Sequence, residues 1–184
     1  MADDRDRFEQ IYREHFRAVL RFAAARIDHE RAKDVAAETF LIAWRRLDDV
    51  PADPRPWLFG VARRVIAGQF RSETRHKALA RRVGAERGGN TEQADLSEPL
   101  GDRDQVRAAL GTLSERDREV LRLVTWDGLS AAEGAQVLAV TKLAFTVRLH
   151  RARRRLQREL ERSEEHMSHP AIAQGRRRPV DAHQ

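Results

Sequence analysis

The stretch from Leu129 to Leu156, LSAAEGAQVLAVTKLAFTVRLHRARRRL, restricts the fold more than any other part of the chain. Ser130 and Glu133 have the spacing of a capping box, in which a hydroxyl and a carboxylate each satisfy a free backbone amide. A helix therefore starts there, with Ala131, Ala135 and Leu138 on its apolar side. Ala139 and Val140 follow, and Thr141 is placed to cap a second helix. Its apolar positions are Leu143 or Ala144, Val147, Leu149, Ala152 and Leu156. Arg148, Arg151, Arg155 and Arg158 recur at steps of three and four, which puts them on one stripe. Two short helices around a tight turn, the second rich in arginine, are the outline of a helix-turn-helix. A merely solvated surface helix would interleave both charges, and no balancing acid stands between Gln136 and Gln157.

Composition narrows the context. The 184 residues carry 35 Lys and Arg against 29 Asp and Glu, a net charge of +6, which suits a polyanionic partner. With 35% charged and only 6% aromatic residues, two modest helical cores joined by a polar segment are expected rather than one large core. The absence of cysteine excludes disulfides, thiolate catalysis and cysteine zinc sites. No apolar run approaches the roughly 18 residues that span a bilayer, so a cytoplasmic protein without membrane insertion is expected.

Along the chain, Phe8, Ile11, Tyr12, Phe16, Val19, Leu20, Ala23 and Ile27 recur with helical spacing. A second helix is expected from about Arg31 to Leu47, with Val35, Thr39, Phe40, Ala43 and Leu47 inward. Asp34, Glu38, Leu41 and Arg45 line another side, which periodicity alone reads as an ordinary solvated face. DDVPADP, from Asp48 to Pro54, reads as a loop because its prolines and aspartates break a helix. The helix after it has Trp57, Leu58, Val61, Ala62, Val65, Ile66 and Phe70 on one side and Arg63, Arg64, Arg71 and Arg75 on the rest. Cations beside rings can hold single-stranded nucleic acid, although Trp57, Phe59 and Phe70 read first as core residues and only second as a base platform. Residues 81–104 read as a flexible linker. Helical periodicity returns at Val106, Leu110 and Leu113, with Ser114 and Asp117 placed as a cap, and the tail from 163 to 184 reads as disordered. His166 and His169 lack a further ligand at a supporting spacing, so neither a metal nor a cofactor is expected.

Two segments in this order closely resemble the bacterial sigma factors of the extracytoplasmic-function type. DVAAETFLIAWRRLDDVPADPRPWLFGVARRVIAGQFR, from Asp34 to Arg71, resembles that family's second region, and LSERDREVLRLVTWDGLSAAEGAQVLAVTKLAFTVRLHRARRRL, from Leu113 to Leu156, its fourth. The resemblance implies an all-α, non-catalytic subunit that joins core RNA polymerase, recognises promoter DNA and opens it. It divides the chain into a region-2-like helical domain (1–80), a linker (81–104), a region-4-like helix-turn-helix domain (105–162) and a basic tail (163–184). It also implies contacts with the β′ clamp coiled coil and the β flap of the polymerase, and an anti-sigma factor as a further partner.

By position, Asp34, Glu38, Leu41 and Arg45 match the surface that docks on the clamp, which replaces the solvated-face reading. The loop Asp48, Asp49, Val50, Pro51, Ala52, Asp53 and Pro54, with Trp57, Arg63, Arg64 and Arg71, matches the part that captures a flipped minus-ten base and holds the melted strand. Thr141, Lys142, Phe145, Arg148, Arg151 and Arg155 match the minus-thirty-five reader. Several positions depart from the family pattern. Ala37 stands where glutamine is frequent, Arg64 where asparagine is frequent, Gly68 where an aspartate often sits, and Ala139 in place of the usual turn glycine. Leu143 and Phe145 replace smaller residues, and Gly134 weakens its helix by roughly 1 kcal/mol relative to alanine. A stand-alone helix-turn-helix regulator and a polymerase-binding module that does not read DNA remain alternatives. An enzyme finds no phosphate loop, supported acid pair or nucleophile constellation.

Overall fold

The computed structural model describes residues 2–82 and 102–168, with side chains for 3–75 and 106–163. Among these residues the fold is all-α. Helices α1 (Ala2–Ala24), α2 (His29–Arg45) and α3 (Pro54–Arg82) form the first half, with a 3-10 turn at Leu47–Asp49. Helices α4 (Asp102–Thr112), α5 (Glu115–Thr125), α6 (Ala131–Leu138) and α7 (Lys142–Ser168) form the second. Most of the segment expected as a linker lies outside the described residues, although α3 enters it as far as Arg82. Helix α7 runs beyond residue 163, where the tail was expected to begin, and residues 169–184 lie outside the described part.

Local chemistry sets the helix starts. Asp28 accepts from the Arg31 amide at 3.0 Å and Ser114 from the Asp117 amide at 3.2 Å. The Ser130 hydroxyl accepts from the Glu133 amide at 3.3 Å while the Ser130 amide donates to the Glu133 carboxylate at 2.7 Å, the expected capping box. Thr141 accepts from the Ala144 amide at 3.1 Å and starts α7. Between α6 and α7, Ala139 takes the left-handed conformation at φ 52°, and the Val140 amide closes back onto the Ala135 carbonyl at 3.0 Å. Left-handed backbone crowds a Cβ, so this alanine sits where glycine is the unstrained choice.

In the first half, α1, α2 and α3 pack on one another. Val19, Phe22, Val35, Ala36, Phe40, Leu58 and Ala62 are buried between them, and Phe8, Tyr12 and Phe16 meet Phe40 through ring contacts. In the second half α4, α5 and α6 all pack on α7, burying Leu113, Val120, Leu123, Val137, Phe145 and Ala152. The two cores are not separated by solvent. Helix α3 packs on α6, and the buried side chains form a continuous cluster through that contact.

Arginines fasten this junction. Arg26, at the end of the first helix, donates to both oxygens of Glu119 at 3.1 and 3.2 Å and to Asp127 at 2.8 Å. Its side chain is 6% exposed, against 12% for Glu119 and 8% for Asp127. The guanidinium lies 3.6 Å from the centroid of the Phe22 ring, which stacks on Phe59 at 4.5 Å. Arg55 donates to the Asp127 carbonyl from the start of α3. Burial pushes the Asp127 carboxyl above its ordinary range, and the Arg26 charge opposes that shift.

Candidate nucleic-acid interface

Helix α7 presents two unlike sides. Phe145, Leu149 and Ala152 are buried, and Leu156 packs against the same core. The opposite side carries Leu143, Val147, His150, Arg151 and Arg154, all exposed. Thr141, Lys142 and Arg148 are also exposed around the helix start. Arg148 and Arg151 form no ion pair with any described residue, so their charge is available to a phosphate or a base edge.

Three expectations for this helix change. Phe145, expected among the reading residues, is fully buried in the helix-turn-helix core. Its ring fills the space beside Gly134, where a Cβ would come within 2.6 Å of Phe145 Cε2. The glycine that weakens α6 as an isolated helix is the slot that lets α7 approach, so the large residue and the missing side chain belong together. Arg155 is directed to Asp117, which also accepts from Ser114 at 2.8 Å, and so ties α7 to the start of α5. Val147, expected on the apolar inner side, is instead 40% exposed, and of the alternatives Leu143 and Ala144 it is Ala144 that is half-buried while Leu143 is 75% exposed. Periodicity missed this because both possible apolar rows have helical spacing through the first turns. The mid-helix glycine opposite a phenylalanine was the signal that could have chosen between them.

In the first half, Asp34, Glu38, Leu41 and Arg45 share an exposed side of α2, with Leu41 at 47% exposure. In the segment that follows, Asp48, Asp49, Ala52 and Asp53 are exposed and Pro51 and Pro54 half-buried. Val50 departs from the expected site by being buried, with its carbonyl held by Arg7 at 2.6 Å. That anchor fixes the segment against α1, and Arg46 braces it further through Asp49 at 2.7 Å. Trp57 packs partly against the core and Phe59 is buried, whereas Phe70 is exposed. Arg63, Arg64 and Arg71 are exposed along α3. Between α2 and α3 lies an open groove of about 490 Å³ with Ile42, Val61 and Val65 as its apolar floor and Glu38, Arg46 and Arg64 at its rim. The groove therefore joins the acidic row of α2 to the basic side of α3. No group of His, Asp and Glu suited to a metal occurs among the described residues, and His166 and His169 lie outside the described side chains. No described helix is long and apolar enough to cross a membrane.

The comparisons with known proteins agree with this layout. The model of sigma-70 region 2 matches residues 11–76, and that of sigma-70 region 4 matches residues 103–156. The ECF RNA polymerase sigma factor SigL of Mycobacterium tuberculosis is 31% identical over 157 residues, covering 82% of this chain and 87% of SigL. Among solved structures, the sigma factor RpoE of Bartonella quintana, determined with the anti-sigma factor NepR, superimposes with a TM-score of 0.63. It has 25% identity and covers 84% of this chain and 96% of that one. CnrH, determined with the cytosolic domain of CnrY, gives a TM-score of 0.55 at 29% identity over 84% of this chain and 88% of its own. The two matched regions, in the order of the two helical halves, place the chain in the sigma-70 family, as a sigma factor of the extracytoplasmic-function type that directs transcription initiation.

Proposed function

We propose that the two halves divide promoter recognition between them. The exposed row Asp34, Glu38, Leu41 and Arg45 docks on the clamp coiled coil of core polymerase. The segment Asp48–Pro54 and the arginines of α3 hold the minus-ten strand as it melts, and the start of α7 reads the minus-thirty-five duplex. The second half also meets the β flap, and an anti-sigma factor competes for these surfaces; RpoE was determined with the anti-sigma factor NepR and CnrH with the cytosolic domain of CnrY. The chain acts in the cytoplasm as a non-catalytic subunit, its halves corresponding to domains 1–80 and 105–162. The observation that carries this reading is the exposed surface of α7, where Arg151 on the outward side and Arg148 on its flank stand free on the helix whose other side forms the helix-turn-helix core. The recognition helix of such a motif meets base edges near its N-terminal end.

The reading also requires the junction to part. Helices α3 and α7 both pack against α6, while the promoter elements assigned to them lie about 25 base pairs apart, roughly 85 Å at 3.4 Å per base pair. Core polymerase would hold the halves apart by replacing the contacts around Arg26. The test of docking is the double charge reversal Asp34→Lys and Glu38→Lys. Both side chains are exposed, so helical content should be unchanged while affinity for core polymerase falls at least tenfold. Undiminished core affinity would remove this surface from the proposal.

A further inference from the structure

The outward side of α7 is not uniformly basic. Its first two turns place two aliphatic side chains, Leu143 and Val147, at the centre of the face, and the arginines follow. Both are more exposed than an apolar residue needs to be, and Leu143, at 75%, touches little of its own fold. Lys142, Arg148, Arg151 and Arg154 surround and extend the pair, so the face as a whole complements a polyanion. Phosphate offers an aliphatic group nothing. In the major groove, the apolar group among the base edges is the thymine C5-methyl.

We propose that Leu143 and Val147 set the promoter preference of this sigma factor by packing on thymine methyl groups in the upstream element, while the neighbouring cations hold the phosphates. The proposal rests on the assignment of α7 to duplex DNA. The two side chains are four residues apart, about 6 Å along the helix axis, near two base-pair steps of 3.4 Å. They therefore address different base pairs. Phe145 cannot supply this contact, because its ring is committed to the slot beside Gly134. A contact made through methyl groups selects A·T pairs in one orientation, since it needs the thymine on the strand that α7 faces.

The test uses holoenzyme reconstituted from the full chain and core polymerase. Duplexes selected by wild-type holoenzyme from a random library are resynthesised with thymine or with uracil in the upstream half. Uracil keeps the O4 acceptor and lacks only the methyl. Wild type should bind the uracil duplex more weakly by about fourfold per contacted methyl. Holoenzyme carrying Leu143→Ala and Val147→Ala should bind both duplexes alike, as weakly as wild type binds the uracil form, with an unchanged unfolding midpoint because both side chains are exposed. Equal wild-type affinity for the two duplexes overturns the proposal. So does full discrimination in the double variant, or a double variant unaltered on DNA, as a protein-docking role for these residues would give. A parallel Arg148→Ala, Arg151→Ala holoenzyme separates the two levels of inference. If it loses the upstream half while wild type ignores the methyl, only the methyl contact fails; if it keeps the upstream half, the assignment of α7 fails.

Discussion

The helix-turn-helix and the junction between the halves both depend on arginine, and they hold it in opposite ways. On α7, Arg148 and Arg151 stand in solvent without an ion pair to a described residue, on a helix whose start, turn and core are set by residues a few positions apart. At the junction Arg26 is almost wholly buried, and its partners Glu119 and Asp127 lie 93 and 101 residues further along the chain. An exposed cation is free to leave water for a phosphate, and its removal changes folding little. A buried cation facing two carboxylates has already lost its water, and removing it strands two charges in a poor solvent. The same side chain thus serves binding in one region and conformation in the other.

The sharpest way to break this comparison is to truncate one arginine from each region. Arg26→Ala should destabilise the full chain by about 3–5 kcal/mol, because Glu119 and Asp127 stay buried without their partner. Arg151→Ala should fall within about 0.5 kcal/mol of wild type. Denaturant unfolding of the two variants measures both, and similar losses would erase the distinction.

Gly134→Ala probes the packing inside the helix-turn-helix. Alanine favours the helix intrinsically, yet the new Cβ would lie within 2.6 Å of the buried Phe145 ring, so a net loss of about 1–3 kcal/mol is expected. Phe145→Leu in the same chain should recover part of it, whereas a stabilised Gly134→Ala variant would contradict the slot.

The turn gives a smaller effect of opposite sign. Ala139→Gly removes the left-handed strain at φ 52° and should stabilise the chain by up to about 1 kcal/mol, read as a raised melting temperature. At the start of α6, Ser130→Ala should cost about 1 kcal/mol through the lost cap. Hydrogen bonds from the Ser130 side chain and backbone hold the Glu133 carboxyl below its usual range. This contribution is present above the ordinary carboxylate pKa and is lost as pH falls through the lowered value in the fold. A Ser130→Ala variant should therefore lose less stability than wild type across that acid range.

Legibility in the sequence follows the same divide. Capping residues act within three or four positions, so the starts of α5, α6 and α7 are legible in Ser114, Ser130 and Thr141 with their neighbours, and Asp28 caps α2 over the same short range. The turn before α7 was legible too, down to an alanine at the glycine position. What failed was the rotation of the first turns of α7, because Leu143 and Val147 carry the same helical spacing as the true inner row, and only the pairing of Gly134 with Phe145 separates them. Nothing local marks Arg26 as a buried hub. It follows an alanine-rich stretch at the end of a helix, and its role exists only once Glu119 and Asp127 have been folded against it.

The division of promoter recognition is tested most directly by footprinting with holoenzyme, following upstream duplex protection together with the permanganate reactivity of unpaired thymines. The Arg148→Ala, Arg151→Ala holoenzyme should lose upstream protection and still hold open a promoter supplied with a pre-formed bubble. Each lost phosphate contact should also lower the salt dependence by about one unit of slope. Holoenzyme with Arg63→Ala, Arg64→Ala and Arg71→Ala should keep upstream protection and lose permanganate reactivity on a closed promoter. Full upstream protection by the first variant together with normal melting by the second would contradict the assignment of α7 to the duplex and α3 to the melted strand.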